Sequence, residues 1–106
     1  AVTLINVPTS GSYRGALRIY SLSEGAPVVD VRISTSTGAL LAQSALLLEG
    51  EPRYAQILSL SDAFPAIRHT DRVTIQVRSR DAAEKIWAFV SITSNTTQAV
   101  AIVAPD

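Results

Sequence analysis

Val73-Thr74-Ile75-Gln76-Val77-Arg78 alternates apolar and polar residues without a break, and Val29-Asp30-Val31-Arg32-Ile33-Ser34 repeats the pattern. Successive side chains of a strand point to opposite faces, so a period of two describes a sheet with one dry face and one wet face. The same grammar runs along the chain. Residues 2–6 read as a first short strand, closed by the turn formers Pro8-Thr9-Ser10-Gly11-Ser12. Residues 13–21 form the second, with Gly15, Leu17 and Ile19 on one face and Arg14, Ala16, Arg18 and Tyr20 on the other. Glu24-Gly25-Ala26-Pro27 turns the chain into a third, 28–34, and Thr35-Ser36-Thr37-Gly38 supplies a tight hairpin with Gly38 free to take a positive φ.

Residues 39–49 make the fourth strand; its Leu46-Leu47-Leu48 is apolar on both faces, which reads as partly covered, and Gly50-Glu51-Pro52 breaks it. A fifth strand, 53–59, leads into one helical turn at Ser61-Asp62-Ala63-Phe64, capped by Ser59 or Ser61 and ended by Pro65. The sixth strand is 71–79. After the polar connection Asp81-Ala82-Ala83-Glu84 comes the seventh, 86–93, with Ile86, Ala88, Val90 and Ile92 on one face and Trp87 and Phe89 on the other. A strand apolar on both sides is expected to be central and covered twice, which would bury both aromatics. Ser94-Asn95-Thr96-Thr97 turns into a last strand, 99–103, with Asn95 expected in the left-handed region at the tip. The expectation is an all-β, Ig-like antiparallel β-sandwich of seven to eight strands with at most one or two short helical turns. Its core should hold Val29, Val31, Ile33, Val73, Ile75, Val77, Ile86, Val90 and Ile92. Leu40, Leu46 and Leu48 exceed what one sandwich is expected to bury and suggest a sticky strip for weak homo-oligomer formation.

A length of 106 residues fits one domain spanning 1–106. A chain of this size buries roughly two-thirds of its unfolded surface, enough for a core without covalent staples. Nine basic residues balance nine acidic ones, so no long-range field favours nucleic acid or an anionic membrane. Eight of the nine basic residues are arginine, but they are scattered along the chain. The absence of cysteine excludes disulfides, zinc–thiolate sites and thiol catalysis, and leaves the redox compartment open. No apolar run approaches the roughly 18 residues of a spanning helix, so no membrane insertion is expected. The chain starts Ala1-Val2-Thr3-Leu4 and has no methionine, which reads as an excised domain or a processed chain.

Several stretches taken together resemble a known domain. They are Tyr13-Arg14-Gly15-Ala16-Leu17-Arg18-Ile19, a strand ending in Thr-Gly followed by an apolar run (Ser34 to Leu41), Leu60-Ser61-Asp62-Ala63-Phe64-Pro65, and the closing hairpin from Trp87 to Thr97. In this order they are similar to a β-sandwich accessory domain found near the C-termini of large secreted bacterial proteins. The chain departs from that pattern at Thr97-Gln98, where Gly-Asp would stand, and at Tyr20-Ser21, where Asn is usual. The resemblance implies a non-catalytic module, extracellular or at the bacterial cell surface. Its role would be to space, anchor or present a neighbouring domain of a larger chain.

Candidate chemistry is sparse, and no cofactor is called for. His69 is the only histidine and has no cysteine or second histidine to share a metal; an exposed loop position is expected. No Gly-x-Ser-x-Gly elbow supports a serine nucleophile. Glu49 and Glu51 flank a turn and read as solvated acids, not as a paired acid and nucleophile. Asn95-Thr96-Thr97 fits a glycosylation sequon in form, with a turn role preferred. A glycan- or protein-binding module is the alternative to the accessory role, using an exposed sheet face. Arg14, Arg18, Arg32 and Trp87 are its candidate contacts, cations to meet an acidic partner and a ring to stack on a sugar. Arg72 and Arg78 share the outward pattern, interleaved with Asp30, Thr74 and Gln76, as on an ordinary solvent face.

Overall fold

The computed structural model of the chain describes residues 2–22, 28–48, 54–57, 59–81 and 85–105. The expected turns at Glu24-Gly25-Ala26-Pro27 and Gly50-Glu51-Pro52, with Glu49, Arg53, Leu58 and the Ala82-Ala83-Glu84 part of the polar connection, lie outside these residues. Along the chain run β1 (Val2–Pro8), β2 (Tyr13–Ser21), β3 (Val28–Ser34), β4 (Leu40–Leu47), β5 (Tyr54–Ile57), the helical turn α1 (Leu60–Ala63), a 3-10 turn (Pro65–His69), β6 (Arg72–Ser79), β7 (Ile86–Ser94) and β8 (Val100–Val103). They form two antiparallel four-stranded sheets, β1-β6-β3-β4 and β5-β2-β7-β8. This is the expected Ig-like sandwich architecture with a strand order of its own, since β1 lies beside β6 and not beside β2. β3–β4 and β7–β8 are hairpins; every other connection between the described strands crosses from one sheet to the other.

Those crossings put the inward side chains of both sheets into one core. Val29, Val31, Ile33, Val73, Ile75, Val77, Leu17, Ile19, Val90 and Ile92 belong to a single buried cluster, and no polar side chain among the described residues is buried with them. Ile86, expected in the core, is half-buried and packs against it. The leucine strip does not form as expected. Leu48 is fully buried and Leu46 packs on the core, while Leu40 and Leu47 stand about half exposed.

The first strand runs past residue 6 because its phase changes. Leu4 pairs with Ile75 but Val7 pairs with Val73, so β1 carries one residue more than β6 over that stretch. The extra residue is absorbed at Asn6, which takes φ 55 in the left-handed region. This bulge keeps both Leu4 and Val7 fully buried although they are three apart, and turns Ile5 and Asn6 outward. On the other sheet edge, Gly38 has φ 95 in the β3–β4 hairpin, as the sequence suggests, and the Thr35 hydroxyl accepts from the Ala39 N–H at 3.0 Å.

The helical connection closes one end. Ser59 holds the N-cap position of α1 without a side-chain capping bond, and Ser61 lies inside the turn. Pro65 ends α1 and begins the 3-10 turn, where its missing N–H costs nothing. Arg68 joins the two pieces, donating to the Ser61 carbonyl and to Asp62 Oδ1, both at 3.1 Å. Leu60, Phe64 and Ile67 are thereby buried in the core. Leu60 lies so close over β2 that a Cβ on Gly15 would stand 3.0 Å from its Cδ1. Among the described residues no helix is long and apolar enough to cross a membrane.

The outer face of the β1-β6-β3-β4 sheet is polar on its central strands β6 and β3, while Ile5, Leu40 and Leu47 are exposed on its edge strands. Arg80 forms a fork on Asp30, with Nη2 at 2.9 Å from Oδ1 and Nε at 3.0 Å from Oδ2. Arg78 is the cross-strand partner of Asp30. The Arg80 hydrogen bond, with the charges of Arg80 and Arg78, holds the Asp30 carboxyl below the usual range against a smaller opposing effect of burial.

Two outcomes follow from this packing. Asn6→Val should lower stability by about 1–2 kcal/mol, because a branched side chain resists the left-handed region, while Asn6→Gly should change it by less than about 0.5 kcal/mol. Equal losses in urea unfolding would contradict the bulge. The depressed Asp30 carboxyl favours folding above the unfolded value of about 3.9, and that contribution is lost as pH falls through the lower folded value. Asp30→Asn should therefore lose less stability than the parent chain between pH 7 and pH 3. An unchanged pH slope would remove the role of the fork, whose effect should also shrink in high salt.

Candidate functional site

The other sandwich face is built differently. In the β5-β2-β7-β8 sheet, strand register sets Tyr20 beside Trp87 and Arg18 beside Phe89. One step further, Ala16, Ser91 and Ile102 share a row, then Arg14, Thr93 and Val100. All these positions face outward, because their neighbours Leu17, Ile19, Ala88, Val90 and Ile92 are taken by the core. The rings of Tyr20 and Phe89 stack across the diagonal with centroids 6.1 Å apart and planes 16° from parallel.

Trp87 is 44% exposed and Phe89 half-buried, which corrects the expectation that both are covered. β7 is central in its sheet, as its composition suggests, but only one of its faces meets the core. The apolar surface continues onto β8, where Val100 and Ile102 are 64% and 59% exposed.

Of the four expected contacts, Arg14, Arg18 and Trp87 share this face, whereas Arg32 lies on the opposite sheet between Gln43 and Gln76. Arg72 and Arg78 are on that opposite sheet too. Arg18 is exposed and has no hydrogen-bond or ion-pair partner among the described residues. Arg14 donates through Nη2 to Gln98 Oε1 at 2.7 Å, a neutral acceptor that leaves its charge uncompensated. Arg14 and Arg18 stand about 13 Å apart along β2. The described outward positions of β2, β7 and β8 carry these two cations and no carboxylate.

The β7–β8 hairpin beside this face is not built as the sequence suggests. Gln98, with φ 58, takes the left-handed position expected of Asn95. Asn95 instead ties two loops together: its Nδ2 donates to the Gly11 carbonyl at 3.0 Å and its N–H to the Ser12 carbonyl at 2.9 Å. A side chain engaged in this way has a structural task that accounts for its presence without glycosylation. His69 is exposed at the end of the 3-10 turn and has no hydrogen-bond partner among the described residues. Among those residues no three His, Cys, Asp or Glu side chains gather to hold a metal ion.

Sequence reasoning missed Tyr20, Val100 and Ile102 as parts of this surface. The signal was present in the alternation of Val100-Ala101-Ile102-Val103, which puts Val100 and Ile102 on one side, but only the register with Ser91 and Thr93 shows that side to be the outer one. No family model matches this chain, and no curated protein or solved structure matches it either.

Proposed function

We propose that this chain is a non-catalytic accessory module of a secreted bacterial protein, and that it docks through the outer face of the β5-β2-β7-β8 sheet onto a neighbouring domain of the same polypeptide. The observation that carries this reading is the unlikeness of the two outer faces. One presents the Asp30–Arg80 fork with Arg32, Thr74, Gln76 and Arg78 on its two central strands, and exposes Ile5, Leu40 and Leu47 only on its edge strands β1 and β4; the other presents Tyr20, Trp87, Phe89, Val100 and Ile102 across adjoining strands. A contiguous apolar patch with aromatic anchors and a few flanking cations has the composition of a protein contact surface. Val100 and Ile102 favour a protein over a sugar, since aliphatic tips offer a glycan neither a ring face nor a hydrogen bond. The isolation of His69 and the lack of cysteine support a role without catalysis.

A second reading, glycan binding, is favoured by the convergence of Trp87, Arg18 and Arg14 on the same face. There the indole would stack on a sugar ring and the guanidinium groups would pair with acidic substituents.

Oxidative footprinting tests the docking reading. In the intact parent polypeptide, Trp87 and Tyr20 should be labelled several-fold more slowly than in the 106-residue chain alone, with Arg32-face residues unchanged. Equal labelling of Trp87 in both would overturn it. Reproducible glycan-array binding lost in both Trp87→Ala and Arg18→Ala would select the second reading.

A further inference from the structure

We propose that β8 is a self-association edge, pairing antiparallel with β8 of a second copy of this chain. A strand at a sheet edge shows unpaired N–H and C=O groups, and proteins usually guard such edges with bulges, prolines or charges. β1 is guarded by the bulge at Asn6 and by Pro8. β4 carries a register break near its start and has the 3-10 turn packed against it. Val100-Ala101-Ile102-Val103, like the fourth edge β5, has no charge, no proline and no break in register, and on β8 these features coincide with two exposed apolar side chains, Val100 and Ile102.

The hydrogen-bonding phase of β8 follows from its hairpin. The Ser94 N–H donates to the Ala99 carbonyl at 2.9 Å, which makes Ser94 and Ala99 a hydrogen-bonded pair. Such pairs recur at every second position of an antiparallel ladder, so Ala101 and Val103 turn their backbone groups toward β7. Val100 and Ile102 therefore turn theirs to the open edge.

A two-fold axis through Ala101 sets Val100 opposite Ile102 of the second copy, and Ile102 opposite its Val100. Each pair then exchanges both of its backbone bonds, four in all. The same register lays Val100 and Ile102 side by side on the outer face, covering two of the most exposed large apolar side chains among the described residues. Charge does not oppose the contact, because the formal net charge is zero. The nearest outward cations, on β2, would stand at least roughly 24 Å apart across the axis, beyond the screening length. Four residues and their neighbours bury little area, below about 1,200 Å² in total, which places the dimer in the weak, concentration-dependent class.

Sedimentation equilibrium of the 106-residue chain over a range of concentrations tests this. A reversible monomer–dimer equilibrium is expected. Ile102→Pro removes an outward N–H while leaving the ladder to β7 in place, and should raise the dissociation constant at least tenfold with an unchanged circular dichroism spectrum. Ile102→Lys, which keeps the backbone donor, should do the same by bringing two cations together at the axis. Leu47→Lys, on β4, should leave the equilibrium as it is. A chain that stays monomeric up to about 1 mM overturns the proposal. So does a dimer that survives both Ile102 variants, or one lost only in Leu47→Lys.

Discussion

The meeting of two apolar sheet faces is the contact on which the rest of this structure depends. Apart from Leu60, Phe64 and Ile67 of the helical connection at one end, each sheet finds its burial in the other: Val29, Val31 and Ile33 with Val73, Ile75 and Val77 on one side need Leu17, Ile19, Val90 and Ile92 on the other. Removing a side chain of this size from water is worth about 1.5–3 kcal/mol, and an unmatched face would forfeit most of that. The connectivity enforces the same dependence. Because the chain passes repeatedly from sheet to sheet, neither sheet is a contiguous segment that could form first by local contacts.

Once the inward positions are committed to the core, the outward ones are free to differ. The β1-β6-β3-β4 face is polar across its central strands and holds an exposed ion-pair fork, with exposed apolar side chains only at its edge strands. The β5-β2-β7-β8 face places two aromatics in a stacked pair, sets Trp87 beside them and runs out through Val100 and Ile102 to an unguarded edge. No need of the core explains this difference. It supports a face that works by being covered, with an edge beside it suited to a copy of itself.

The alternation in residues 28–34 and 71–79 was sufficient to locate the core, because each strand has one polar face that can only point to water. The same logic failed for β7, where Trp87 and Phe89 make both faces apolar and composition cannot tell a covered face from a bare one. Period-two reasoning also lost Val7, since the bulge at Asn6 shifts the phase by one residue, and the one local mark of the slip is that asparagine tolerates the left-handed region. The hairpin residue in the left-handed region depends on loop length, which is why Gln98 takes it and Asn95 does not. Arg14, Arg18 and Arg32 looked equivalent along the chain. The pairing of β2 with β7 and of β3 with β6, set by long-range contacts, is what separates them.

If the two sheets are stable only together, they must come apart together. Native-state hydrogen exchange across a denaturant series measures this directly. The slowest amides of β3 and β6 should open with the same free energy and the same denaturant dependence as the slowest amides of β2 and β7, both equal to those of global unfolding. Amides of one sheet that exchange through a separate opening of lower free energy, while the other sheet stays protected, would contradict the account.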